Sequence, residues 1–219
     1  MGYATQFSKE KYKLVTERIR LNALEKVRTL SLIPHAKIYF SRRKFSSTDI
    51  GEKEIEDNFV RNGFNVLYPE ELSIVEQIFY INNAEVVASL SGTIGHNFIF
   101  SSNKTCFLIL NRFPKPNYPQ FRINYIFDLN VTWIDVYNKW LLKHPKDYGD
   151  HLIWVEFSKE LRNFFHDNGM SYSYSFICAK FRNVFEFLRR YQFMPLIWKI
   201  RSQLGHFKQK FKVIQAKYL

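Results

Sequence analysis

Between Lys37 and Phe100 the chain reads KIYFSRRK (37–44), GFNVLYPEELSIVEQI (63–78) and AEVVASLSGTIGHNFIF (84–100). Three runs in this stretch, Lys37 to Ser41, Phe64 to Tyr68 and Glu85 to Ala88, carry the β-branched, aromatic and small apolar residues that suit buried strands. Helical signals lie between them. After the polar loop Phe45 to Gly51, a helix is predicted from about Glu52, with Ile55 and Phe59 one turn apart, acids in its first turn and Gly63 as its stop. Ser73 and Glu76 make an S-x-x-E capping box that opens a second helix through Ile78 to Ile81. Strands alternating with helices predict βαβ units: an α/β, Rossmann-like, mostly parallel sheet flanked by helices.

The pattern continues outward in both directions. From Ser8 to about Thr29, Leu14, Leu21, Leu24 and Val27, with Val15 and Ile19, recur at helical spacings and predict an amphipathic helix, and Pro34 launches the first strand. Thr105 to Leu110 reads as a fourth strand. Asn111 to Gln120 holds Pro114, Pro116 and Pro119 and reads as an irregular connection. Val131 to Val136 and Leu152 to Phe157 read as later strands, and a helix is expected from Ser158 to about Asp167 with Leu161, Phe164 and Phe165 inward. The expected organisation is a helix and lead-in over 1–36, a Rossmann-like domain over 37–171 and a basic, aromatic helical extension over 172–219.

At 219 residues the chain can bury one substantial core, and 46% hydrophobic with 24% charged residues is a globular composition. The formal charge of +12 favours an anionic partner. It is concentrated at one end: from Tyr172 to Leu219 ten Lys and Arg face the single acid Glu186, which gives this tail +9 of the total. Phe176, Phe181, Phe185, Phe187, Leu188, Phe193 and Trp198 interleave with Arg182, Arg189, Arg190, Lys199 and Arg201 there. That pattern fits an interfacial helix on an anionic membrane surface, or a helix that packs one face on the sheet and solvates the other. No nucleic-acid motif accompanies the charge, so no nucleic-acid partner is expected. Cys106 and Cys178 form neither a disulfide framework nor a metal pattern. No uncharged run approaches the ~18 residues that span a bilayer. A cytoplasmic location follows, with room for peripheral attachment to the inner face of a membrane.

Gly92 and Gly95 stand in the loop after the third strand, where glycines either make a turn or let backbone amides approach an anion. In order, KIYFSRRK, the helix with GEKEIE, GFNVLYPEELSIVEQI and AEVVASLSGTIGHNFIF resemble the C-terminal half of glycosyltransferase family 61, of the bacterial polysaccharide-biosynthesis type. The resemblance implies the C-terminal half of a GT-B fold that binds a nucleotide-sugar donor and transfers a hexosyl or pentosyl unit to a glycan or lipid-linked glycan acceptor. It implies Arg42 and Arg43 on the diphosphate, without a metal or other cofactor, and Glu52 at the glutamate of the family's Asn-Glu pair. Glu76 and Gln77 match a Glu-Gln pair that meets ribose or base, and Gly92, Thr93, His96 and Asn97 match the phosphate-facing loop. His96 and Glu52 are the candidate acid–base groups. The sequence departs from the family pattern at Thr48, Gly51 and Ser91, where arginine, asparagine and histidine are common. About 36 residues precede the first matching strand, so the resemblance also implies an acceptor-binding half that is missing, reduced or supplied by a companion chain. A non-catalytic remnant, or a module that binds a membrane or partner through the tail, is the alternative.

Overall fold

The computed structural model describes residues 9–44, 49–101, 104–115, 117–138 and 153–189. Contacts divide the chain into two compact units, Met1–Tyr174 and Ser175–Leu219. In the first unit, β1 (Lys37–Phe40), β3 (Asn65–Leu67), β4 (Val86–Leu90), β5 (Cys106–Asn111) and β6 (Asn130–Asp135) form one sheet in the order β3-β1-β4-β5-β6. Every pairing in it is parallel. The chain thus runs outward from β1 to β3, then crosses to β4, β5 and β6 on the other side. This is a doubly wound order, whose switch point lies between β1 and β4. The expected α/β class, with a mostly parallel sheet flanked by helices, is the observed one.

Both faces of the sheet are covered, which is why its strands read as near-continuous apolar runs. Tyr39, Ala88, Leu90, Leu108, Leu110 and Ile134 face one layer, with Ile55 and Phe59 of α2 (Glu52–Arg61) and Leu161 and Phe165 of α5 (Lys159–Asp167). Ile38, Phe40, Val87, Phe107 and Ile109 face the other, with Tyr80 and Ile81 of α3 (Ile74–Asn83) and Ile94 and Phe98 of a 3-10 helix over Thr93–Phe100. Alternate residues of each strand supply the two layers, as the two-residue period of a strand requires.

Helix α1 (Lys9–Val27) packs outside α3, and Ala23 joins Ile78 and Phe100 in a third, small cluster. Its inward face differs in part from expectation, with Val27 of the predicted stripe buried and most of the rest not. Leu14, Val15, Ile19 and Leu21 are exposed, whereas Thr16, Ala23 and Val27 are buried. Arg20 explains the rotation: its guanidinium bonds Asn82 at the end of α3 while pairing with Glu17 on α1 itself, which turns the small residues toward α3.

Two further differences concern connections. The proline-rich span does not stay irregular through Gln120: Asn117 accepts a hydrogen bond from the Gln120 amide at 3.3 Å and caps α4 (Tyr118–Phe127), in whose first turn Pro119 sits. Proline is favourable there because the first helical amides lack partners in any case. Within the described part of Leu152 to Phe157, only Ile153–Trp154 (β7) is strand, and it pairs in parallel with β2 (Asp49–Ile50) rather than joining the main sheet. Phe157 instead packs against Phe165, with ring centroids 5.1 Å apart.

Phe59 is fully buried and touches three rings, Tyr39, Phe64 and Phe165, at centroid distances of 5.0, 4.8 and 5.2 Å. Phe59→Ala should therefore lower the unfolding free energy by about 3–5 kcal/mol in urea denaturation. A loss below about 1 kcal/mol would mean that this cluster does not hold α2 and α5 on the sheet.

Candidate functional site

The carboxyl ends of β1, β4 and β5 meet at one edge of the sheet, and the chain places its charges there. The strand ladder continues into this edge, with Ser41 N bonded to Leu67 O at 2.9 Å and Ser91 N to Leu110 O at 2.8 Å. Beyond β1 stands Arg42, and beyond β5 stands Arg112. Both reach Asp49 of β2: Arg42 Nε lies 3.4 Å from one carboxylate oxygen, and Arg112 Nη1 lies 3.2 and 3.1 Å from the two. Arg112 also donates from Nε to the Ser91 carbonyl at 2.6 Å. Burial lowers the Arg112 pKa, against the attraction of Asp49.

Glu52, the first residue of α2, lies behind this cluster, only 2% exposed. Its Oε1 accepts from the Arg42 amide at 2.9 Å and from the Tyr39 hydroxyl at 3.0 Å, and Oε2 has no hydrogen-bond partner. Burial, aided by the Asp49 charge, raises its pKa to about 7. Gly51 precedes it at φ 94, a left-handed conformation open to glycine and, among other residues, chiefly to asparagine. Glycine at this position therefore makes the turn that delivers Glu52.

In front of the cluster is a cleft of about 430 Å³ lined by Arg42, Pro69, Glu70, Gln77, Thr93, Ile94, His96 and Asn97. Gly92 makes room for the guanidinium at its back. Its backbone is extended, but a Cβ at this position would lie 2.7 Å from Arg42 Nη1. Asn97 donates to Gln77 Oε1 at 2.9 Å, and Gln77 Nε2 bonds the carbonyls of Pro69 and Leu72 at 2.9 and 3.1 Å, which fixes one wall. His96 is half-buried; burial lowers its pKa, and its Nε2 has no hydrogen-bond partner.

Of the candidates named from sequence, Arg42, Gln77, Thr93, His96 and Asn97 line this cleft and Gly92 backs it. Three point elsewhere. Arg43 pairs with Glu56 of α2 at 2.9 Å. Glu52 is turned inward as described. Glu76 completes the predicted capping box, accepting from Ser73 N and Oγ at 2.7 Å each, and those bonds hold its pKa low. Arg112, Asp49 and Glu70 were not anticipated. Arg112 is the first residue after β5, as Arg42 is the second after β1, a positional signal that the sequence offered. Asp49 depends on the β2–β7 pairing, for which there is no local signal. Among the described residues, no group of three or more His, Cys, Asp or Glu side chains comes together that could hold a metal ion.

A doubly wound parallel sheet with a cleft at its switch point, lined by Arg42, Glu70 and the Gln77 and Asn97 amides, is the α/β arrangement in which ligands bind outside the carboxyl ends of the strands. The family model described as Glycosyltransferase 61 matches residues 3–108, which include β1 to the start of β5 and every residue that lines the cleft. The match supports a family 61 glycosyltransferase domain over residues 3–108. No curated protein matches it.

Because Glu52 holds its proton more tightly in the fold than in the unfolded chain, its contribution to stability is fully present below its ordinary pKa of 4.5 and is lost as pH rises to about 7. Glu52→Gln keeps an acceptor for Tyr39 and the Arg42 amide but removes the titration. Between about pH 5 and about pH 8, urea denaturation should show the wild type losing on the order of 3 kcal/mol more stability than the variant. Parallel pH profiles for the two proteins would show that Glu52 does not titrate in this window.

Proposed function

We propose that this domain binds a nucleotide-sugar donor in the switch-point cleft and transfers its sugar to a glycan acceptor. The observation that carries the reading is Arg42, seated against Gly92 at the carboxyl ends of β1 and β4 and lining a cleft whose other wall is the Gln77–Asn97 amide pair. A diphosphate takes the Arg42 end, where the cation meets the charge that develops on the leaving group. The amides and Glu70 take the nucleoside, since paired hydroxyls and ring edges need both donors and acceptors. A GT-B arrangement, in which this layer is the donor-binding half, is the fold that suits such chemistry, and polysaccharide assembly is its expected setting.

In the transfer, the bond from the sugar's anomeric carbon to the diphosphate oxygen breaks, and a bond from that carbon to the acceptor oxygen forms. The acceptor's proton must go to a base. His96 suits that role: burial keeps its imidazole neutral near pH 7, and its Nε2 makes no hydrogen bond within the protein. Arg42 balances the leaving diphosphate as a side-chain cation, so the reading is metal-independent.

Calorimetry with UDP- and GDP-linked sugars tests the donor site. Arg42→Ala should weaken binding about 10- to 100-fold, the size of one charge-assisted contact. Gly92→Ala should weaken it comparably, because its Cβ would displace the guanidinium, while Glu76→Gln should leave it unchanged. Equal affinity for wild type, Arg42→Ala and Gly92→Ala would remove the cleft as the donor site. Turnover by a donor-binding protein decides between an active transferase and a non-catalytic module.

A further inference from the structure

The second unit contains helix α6 (Phe176–Leu188), and its apolar side faces water. Ile177, Phe181, Val184 and Phe185 recur at i, i+4, i+7 and i+8 and are all exposed, Phe181 at 74% and Phe185 at 68%. At roughly 100° per residue they form one continuous stripe along the helix. Lys180 lies along one edge of that stripe, and Arg182 and Arg189 along the other, while Glu186 sits opposite the stripe, 3.9 Å from Arg189. The sequence from 190 to 219 adds seven Lys and Arg and no Asp or Glu.

We propose that α6 is an interfacial helix that lays this stripe into an anionic lipid surface and meets the headgroups with Lys180, Arg182 and Arg189. Two large rings at the centre and cations along both edges match a bilayer interface, where apolar depth and anionic headgroups are separated by only a few ångström. A protein groove reads mainly the apolar anchors of such a helix, whereas the cations on both borders and the acid-free, basic sequence from 190 to 219 favour an anionic lipid surface. Among the described residues no helix is long and apolar enough to cross a membrane, so α6 lies on the surface. The inference is independent of the donor site: it concerns a different unit of the chain and is read without any nucleotide.

Sedimentation of the full chain with vesicles tests it. The protein should pellet with vesicles of phosphatidylcholine and phosphatidylglycerol in equal parts and stay in solution with pure phosphatidylcholine. Changing Lys180, Arg182 and Arg189 to Gln should weaken partitioning by about fivefold for each cation removed, as about 1 kcal/mol per surface-bound basic residue implies. Phe181→Ser with Phe185→Ser should weaken it at least tenfold, with circular dichroism and donor affinity unchanged because both rings are already exposed. No pelleting with the anionic vesicles at low salt would overturn the proposal. So would full binding by the Phe181→Ser, Phe185→Ser protein, which would mean adsorption by charge alone. Concentration-dependent self-association in vesicle-free solution that vanishes in the same variant would assign the stripe to a second copy of the chain and likewise overturn it.

Discussion

One carboxylate shared between two arginines ties the ends of the central strands together. Asp49 reaches Arg42 after β1 and Arg112 after β5, and β4 between them contributes the Ser91 carbonyl to Arg112. Three chain segments distant in sequence are thereby fixed to one another at the edge where the sheet is open. The cluster is nearly buried, so its charges are not there for cheap stability. Desolvating two guanidiniums and a carboxylate is expensive and is offset only by good geometry and additional hydrogen bonds. While Glu52 keeps its proton, an edge built this way has more cation than anion, which is unfavourable unless an anion comes near it.

The balance is sharpened by Glu52. With its proton on, the buried set is Arg42, Arg112 and Asp49, with a net positive charge; with its proton off, the carboxylates match the guanidiniums. Its pKa of about 7, set mainly by burial, places that change near neutrality. The same carboxyl fixes the backbone amide of Arg42, so the direction in which the chain leaves β1 depends on it in either state. Oxygen Oε2, which has no hydrogen-bond partner, marks where the site carries a cost. Buried polar atoms of that kind are few in native folds and tend to belong to functional regions.

Much of the sheet was legible in the sequence because a parallel sheet covered on both faces needs apolar strands, although the similar run Leu152 to Phe157 supplies, in its described part, only Ile153–Trp154, outside that sheet. The Ser73–Glu76 capping box was legible for a local reason: its partners are three residues apart. That local reading also explains the fate of Glu76, whose carboxylate is used by its own helix. What could not be read are features fixed by distant contacts. Asp49 sits in a strand of two residues that exists because Ile153 and Trp154 lie beside it. Pro119 looked like part of a break, yet Asn117 makes it the first turn of a helix. Arg42 and Arg43 are neighbours with equal claims in the sequence, and only the position of Glu56 on α2 draws Arg43 away from the cleft.

The same limit applies to the two helices with exposed apolar residues, and their comparison shows what an exposed leucine or phenylalanine can mean. On α1, Leu14 and Leu21 share their side of the helix with Lys11, Arg18 and Glu25, charges of both signs that interrupt the apolar surface there, and only the short row Tyr12, Val15 and Ile19 beside them is continuous. Isolated apolar side chains of this kind are ordinary on a protein surface. On α6, Ile177, Phe181, Val184 and Phe185 are contiguous, and the cations keep to the borders. Composition describes both helices as amphipathic. The distinction lies in whether charge interrupts the stripe or frames it, because a framed stripe can shed its water all at once, whereas an interrupted one would have to desolvate charge with every apolar contact.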